Sequence, residues 1–293
     1  MKTKQSYRLS DWGLLGLLAF IWGFSFFFIK KGLESFSAYQ VGALRIFISF
    51  CAFFPFLFIR KWEIPWKKIF PIIMVGIFGS GLPPFLFAKA EENLSSSVAG
   101  ILNSTTPVFA LVLGALFFGI TVNIKKISGV VLGMAGSILI IIFTGDGSLN
   151  FDFEYGIMVI IATFCYGLSG NLLKKYIHGE HPLLVSVLAF MFIGPFAGIY
   201  LFTTDFLTVL KTTPNAYESL GYITILAVLG TATALFIFNH LVIRTNALFA
   251  STVTFLIPVV AVIIGLVTGE TLGWVHMGGL ALIMLGVLIT SKG

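Results

Sequence analysis

Ten apolar stretches run along this chain, at residues 11–30, 38–59, 68–88, 95–119, 126–144, 154–173, 183–204, 217–240, 246–268 and 272–290. Each is close to the roughly 20 residues that carry a helix across the hydrocarbon core of a bilayer. Between them lie short breaks rich in charge or in Pro, Gly and Asn, such as RKWEIPWKK, TGDGSLNFDFE and KKYIHGEHP. The break after the third stretch rests on KAEENLSSS, which puts Glu91 and Glu92 at the end of that span. The pattern predicts an all-α integral membrane protein with ten transmembrane helices.

Lysine and arginine set the orientation. One side of the predicted topology collects 13 of them, among them Lys2, Lys4, Arg60, Lys61, Lys125, Lys126, Lys174 and Lys175; the other has only Lys30, Lys31, Lys89 and Lys211. Positive charge stays inside, so both termini are expected in the cytoplasm, as an even number of spans requires.

The two halves of the chain match each other at special residues. At an offset of 151, Gly79, Phe85, Phe87, Ala99, Pro107 and Gly114 meet Gly230, Phe236, Phe238, Ala250, Pro258 and Gly265. At 150, Gly119, Gly129 and Gly136 meet Gly269, Gly279 and Gly286. At 144, Gly23, Ser25, Lys30 and Lys31 meet Gly167, Ser169, Lys174 and Lys175. Chance hydrophobic similarity does not keep Gly, Pro and Lys in step. The expected organisation is a cytoplasmic N-terminus at 1–10, a five-span repeat at 11–145, an outer linker at 146–153 and a second five-span repeat at 154–290. Five is odd, so the copies have opposite topology. Inverted repeats are a recurrent build of secondary transporters, with the substrate near the midplane between them.

Composition agrees with this picture. Of 293 residues 58% are hydrophobic and 10% charged, and the mean hydropathy is +1.02, which excludes an ordinary soluble enzyme. The net charge of +6 belongs to span ends and not to a soluble basic face, so no nucleic-acid partner is expected. Cys51 and Cys165 lie far apart in apolar runs and read as packing residues. The basic start MKTKQSYRLSDW leads into an apolar run without an A-x-A cleavage site and reads as an uncleaved first span.

With this layout, AFIWGFSFFFIKKG, LRIFIS, the two blocks KAEENLSSSVAGILNSTTPVFALVLGALFFG and ALFASTVTFLIPVVAVIIGLVTGE, and the closing HMGGLALIMLGVLI resemble the ten-span EamA branch of the drug/metabolite transporter superfamily. The resemblance covers residues 10–290. It implies a carrier in the bacterial inner membrane, commonly an exporter of amino acids or other small metabolites, with a central cavity between spans one, three, four, six, eight and nine. One departure stands out: Gly269–Glu270 in the second copy has Gly119–Ile120 as its counterpart, so no symmetric pair of acids can act.

Polar groups at depth are the candidates for substrate contact. Arg45, the only charge well inside a span, offers paired donors to a carboxylate or phosphate; snorkelling to the headgroups is its alternative. Asn103 and Thr106 precede Pro107 in span four, where the proline frees a backbone carbonyl; interhelical packing uses the same residue types. Trp22 and Ser25 in span one share a face, as do their repeat partners Tyr166 and Ser169 in span six, beside Asn171. Trp22 lies too deep for an interfacial belt, which favours cavity lining. Phe85 and Phe236 are repeat-matched candidates among 32 phenylalanines, most of which face lipid or core.

Pro83–Pro84 and the matching GTATA stretch at Gly230 weaken helices at corresponding places, and with Pro107 and Pro258 they are the expected hinges. Asn239 and His240 close span eight, where a gate or proton role competes with helix capping; Glu270 is a third such candidate. The Gly129–Gly133 spacing fits close packing inside one molecule, with dimerisation as the other use. Monomer and homodimer are both open.

No metal or cofactor is expected. No Asp or Glu falls in mid-span, so facilitated export and proton antiport are both open. The alternative function is a flippase for a lipid or lipid-linked substrate. The motifs of prenyl-transfer enzymes, zinc proteases and ATP-driven pumps do not occur.

Overall fold

A computed structural model describes residues 7–59, 61–94, 96–144, 153–267 and 274–292. Glu270 and nearly all of the expected linker lie outside them. The described residues form helices joined by short connections, without a strand. We label the main helices α1 (Leu9–Leu33), α2 (Ala38–Ile59), α3 (Trp66–Glu91), α4 (Val98–Phe117) and α5 (Ile124–Thr144). Further along the chain come α6 (Phe153–Tyr176), α7 (Pro182–Thr203), α8 (Ala216–Arg244), α9 (Ala247–Ser251 continued by Val253–Val267) and α10 (Trp274–Ser291). Among the described residues seven helices, α1–α4 and α6–α8, are long and apolar enough to cross a membrane. A short helix, Phe206–Thr212, fills the connection after α7 and was not expected from the sequence.

Local chemistry explains the ends. Ser37 and Gln40 form a reciprocal capping box at the start of α2, and the Asn246 side chain accepts the Phe249 N–H at the start of α9 (2.8 Å). Gly119 adopts φ +73° just after α4, where a side chain would be strained. The start of α1 is tied to the α8–α9 corner by an Asp11–Arg244 ion pair (3.0 Å) and by Asn246 donating to the Tyr7 hydroxyl (2.9 Å).

Every long helix turns large apolar side chains outward, for example Phe20, Phe58, Phe70, Leu116, Ile161, Phe196 and Leu229. A lipid surrounding is the one solvent that suits such a surface. Cys51 and Cys165 are both free, the first exposed and the second buried. Inside, three apolar clusters centre on Leu18 and Phe249, on Val41 and Leu226, and on Ile46 and Phe190.

The tightest contact joins α5 to α10. A Cβ on Gly286 would stand 2.4 Å from the Gly133 nitrogen, and one on Gly129 2.6 Å from the Thr290 nitrogen. The Gly129–Gly133 spacing is therefore used within the molecule. With no hydrophobic drive between helices in lipid, such close backbone packing holds them together. Gly286→Val should destabilise the protein by about 1–3 kcal/mol, the usual penalty of overpacking. Thermal unfolding in detergent checks this, with Gly278→Ala, whose Cβ would meet nothing within 4 Å, as a control that stays near wild type.

Candidate functional site

The interruptions of the helices converge on one central cavity. In α3 the backbone widens to a π turn at Ile77–Gly81, and in α8 at Val228–Thr233, so the two turns start 151 residues apart, the repeat offset. Helices α1, α4 and α9 break at Phe24, at Ser104–Thr105 and at Thr252. A proline at position i removes the N–H that would serve the carbonyl of residue i−4. Pro83, Pro84, Pro107 and Pro258 thereby withdraw the helical donor from Gly79, Ser80, Asn103 and Thr254. All four of those residues line the cavity. Thr106 partly compensates, its hydroxyl donating to the Asn103 carbonyl (2.8 Å).

Two aromatic pairs wall the cavity. The Trp22 ring on α1 leans on Phe238 of α8 (centroids 5.5 Å apart), and its indole N–H donates to the Gly230 carbonyl (2.9 Å). Tyr166 on α6 stacks on Phe87 of α3 (5.9 Å). The repeat offsets turn one pair into the other: Trp22 maps to Tyr166 and Phe238 to Phe87. A second matched contact lies beside them. A Cβ on Gly79 would meet Ser169 Oγ at 2.7 Å, and one on Gly230 would meet Ser25 Oγ at 3.1 Å. Both glycines are needed where α3 and α8 approach the serines.

Arg45 breaks the symmetry. It lines the cavity, is 9% exposed and donates from Nε to Thr231 Oγ1 (2.6 Å), so it does not snorkel to the surface. Thr231 passes its own proton to the Leu226 carbonyl (3.2 Å). The terminal guanidinium nitrogens have no protein hydrogen bond among the described residues and offer their donors to a solute. The offset of 144 relates Arg45 to Ala189, which also lines the cavity and brings no charge.

Of the ten substrate-contact candidates, Trp22, Ser25, Arg45, Asn103, Thr106, Tyr166 and Ser169 meet at this cavity, together with Pro84 and Gly230. Pro83, Pro107 and Pro258 are buried in the interrupted helices behind it. Phe85 instead packs on Gly42 of α2 and faces Tyr200 edge-on, and Phe236 packs into the apolar core. Asn171 also points elsewhere, donating to the Ala110 and Gly167 carbonyls (both 2.9 Å) and locking α6 to α4. Asn239 lines the cavity and donates to Ser186 Oγ (3.0 Å), so it does not cap α8. His240, half-buried, lies off the cavity.

The sequence reading missed Phe87, Phe238, Thr231, Ser186 and Thr254 as lining residues. Phe87 and Phe238 carried the same repeat signal as Phe85 and Phe236, two residues on and so on the opposite helix face. Glu91 ends α3, where the sequence puts it. It is fully buried there.

A family model, that of the EamA-like transporter family, matches the chain twice, at residues 12–142 and 155–292. The chain belongs to this family. It is 25% identical over 286 residues to an uncharacterized transporter of Archaeoglobus fulgidus, covering 97% of this chain and 99% of that one. It is 25% identical to the uncharacterized inner membrane transporter YedA of Escherichia coli, over 96% of this chain and 90% of YedA. A probable amino-acid metabolite efflux pump of Salmonella typhimurium is 27% identical, with 96% and 95% covered. A crystal structure superposes with a TM-score of 0.71 over 97% of this chain and 96% of that one at 14% identity, a likeness of fold alone. This is a multi-pass membrane transporter.

Asn171→Ala should cost about 1 kcal/mol of stability, because the side-chain hydrogen bond that ties α6 to α4 is lost. Phe87→Ala should cost more, about 3–5 kcal/mol, because Phe87 is buried in the apolar cluster of Val41 and Leu226, and it should also weaken solute binding in the cavity. Melting in detergent beside ligand binding on the same preparations separates the two effects.

Proposed function

We propose that the chain is a ten-span carrier in the cytoplasmic membrane that exports small neutral or zwitterionic solutes, amino acids or related metabolites, by alternating access. In this reading α5, α9 and α10 also cross the bilayer, both termini are cytoplasmic, and residues 11–145 and 154–290 are inverted repeats. The observation that carries it is the shared cavity. Trp22–Phe238 and Tyr166–Phe87 are repeat-related pairs, each joining a helix of one half to a helix of the other. Two like halves of opposite orientation have two states of similar energy, one open to each side, with the same residues around the solute. The double family match and the matched π turns at Ile77–Gly81 and Val228–Thr233 support the repeat.

The chemistry of the wall supports the solute class. One guanidinium, several hydroxyls, two side-chain amides and a surround of aromatic rings suit one carboxylate on a small, partly apolar body. A polyanion would bury charges without partners. The name of the Salmonella typhimurium relative supports the amino-acid class and the outward direction, and that of YedA the inner membrane.

Counterflow of a labelled panel of amino acids and other small metabolites into proteoliposomes tests the reading. Saturable counterflow is expected, reduced by about tenfold or more in Trp22→Ala and Asn103→Ala, equivalent to losing roughly 1.4 kcal/mol of binding. Scrambling of a labelled lipid without solute counterflow overturns it in favour of a flippase.

A further inference from the structure

The Gly79 carbonyl has lost both of its helical donors. In an α-helix a carbonyl takes the N–H four residues on, and in a π turn the one five residues on. For Gly79 those positions are Pro83 and Pro84, and neither has an N–H. Leu82, the residue before them, already donates to the Ile77 carbonyl. The other carbonyls that prolines deprive are better placed. Ser80 keeps the N–H of Phe85 five residues on, Thr254 keeps that of Val259, and Asn103 has the Thr106 hydroxyl.

The second half shows what kind of donor is missing. Gly230 is the repeat mate of Gly79, and the mates of the two prolines, Ala234 and Leu235, keep their N–H groups. The Gly230 carbonyl also takes the indole N–H of Trp22 (2.9 Å), and Gly230 is buried. On the other side the mate of Trp22 is Tyr166, which has no side-chain N–H and makes no hydrogen bond to Gly79. Gly79 is only half-buried and lines the cavity. Further oxygens stand beside it. Ser169 Oγ lies where a Cβ on Gly79 would meet it at 2.7 Å; it gives its proton to the Val75 carbonyl (3.1 Å) and keeps its lone pairs. The buried Ser80 hydroxyl also lines the cavity and has no hydrogen bond among the described residues. Three oxygens match the three N–H donors of an ammonium group, whereas a divalent cation takes six or more ligands.

We propose that the π turn of α3 receives the ammonium group of the solute, with the Gly79 carbonyl as its acceptor and the Ser80 and Ser169 oxygens beside it. A solute N–H takes the place that the Trp22 indole holds at Gly230. The inference rests on the carrier reading for its consequence, though not for its test. The carboxylate belongs to Arg45 and the ammonium to α3, so the cavity selects a zwitterion over a plain carboxylate of the same shape.

The test titrates three ligands into the full purified chain by calorimetry at neutral pH: phenylalanine, 3-phenylpropionate, which lacks the ammonium, and N,N,N-trimethylphenylalanine, which keeps the charge but has no N–H. Phenylalanine should bind about tenfold tighter than either analogue, or more, the scale of one hydrogen bond from a charged donor. Pro83→Ala combined with Pro84→Ala returns N–H groups to Gly79 and should shrink that preference to about twofold or less, because the carbonyl is then served from within the helix. Pro84→Ala alone restores the donor that Leu235 has in the other half and should shrink it part of the way. The ratio is the readout, since damage to the fold weakens all three ligands alike. Equal binding of phenylalanine and 3-phenylpropionate by the wild type overturns the proposal, even if the proline variants do not fold. Equal binding of the trimethyl analogue overturns it in favour of recognition of charge by the aromatic rings. An unchanged ratio in a folded double variant overturns the role of Gly79, and no binding of phenylalanine overturns the site. None of these outcomes decides the carrier reading, which the counterflow panel settles with other solutes.

Discussion

In hydrocarbon, every backbone N–H and C=O must find its partner within the protein. That constraint explains why interrupted helices and the cavity coincide here. Pro83, Pro84, Pro107 and Pro258 each withdraw a donor, and the carbonyls they expose belong to residues that line one internal space. Facing lipid, each such carbonyl would cost several kcal/mol. Facing a polar cavity, it can meet water, a hydroxyl or a solute. The π turns of α3 and α8 obey the same rule, since widened backbone is tolerated where protein or a cavity covers it. The outward faces of these helices stay regular and apolar, as Phe70 and Leu229 illustrate.

Repetition of the sequence supplies a near-symmetric frame, and charge breaks it. Lys30 serves the carbonyl of Leu94 beyond α3, and its repeat mate Lys174 serves that of Ile243 in α8, both at 2.8 Å. Cations at the exits of two equivalent helices are what the helix dipole favours. By contrast, Arg45 maps to Ala189 and Glu91 maps to Val242. At these two positions the second half therefore carries no charge. In the proposed reading, a solute with a carboxylate has a single way to orient, even though the aromatic walls are alike.

Much of this was legible in the sequence because it lies in residue type. Apolar length marked the helices, and paired Gly, Pro and Lys marked the register of the repeat. Trp22, Ser25, Tyr166 and Ser169 could be grouped because their spacing within regular helix puts them on one face. Where the helix is not regular, the phase is lost. The π turn at Ile77–Gly81 rotates the later turns of α3, so Phe85 and Phe87 could not be told apart by counting. Asn171 carried the right polarity but spends it on two carbonyls, a choice that only the approach of α4 reveals. The surroundings of Arg45 and Glu91 were hidden for a related reason. Their depth along a span was readable, whereas the neighbours closing over them from α1, α4 and α8 are distant in sequence.

The fate of two matched serines shows how the asymmetry reaches the hydrogen bonds. Ser169 donates to the Val75 carbonyl (3.1 Å). The equivalent carbonyl for Ser25 is that of Leu226, and Thr231 has taken it (3.2 Å). Thr231 is also the group that holds Arg45, and the Ser25 hydroxyl is buried without a hydrogen-bond partner among the described residues. Unpaired hydroxyls of this kind are rare in folded proteins and are relieved by whatever polar group next arrives. The half of the cavity that carries the charge is thus also the half with an unsatisfied serine, while Ser169 is already satisfied. In the proposed reading, the carboxylate of a solute therefore gains more by settling against α1, α2 and α8 than against α6, α7 and α3, which makes the side of Arg45 its anchoring wall and the Tyr166–Phe87 side the uncharged one.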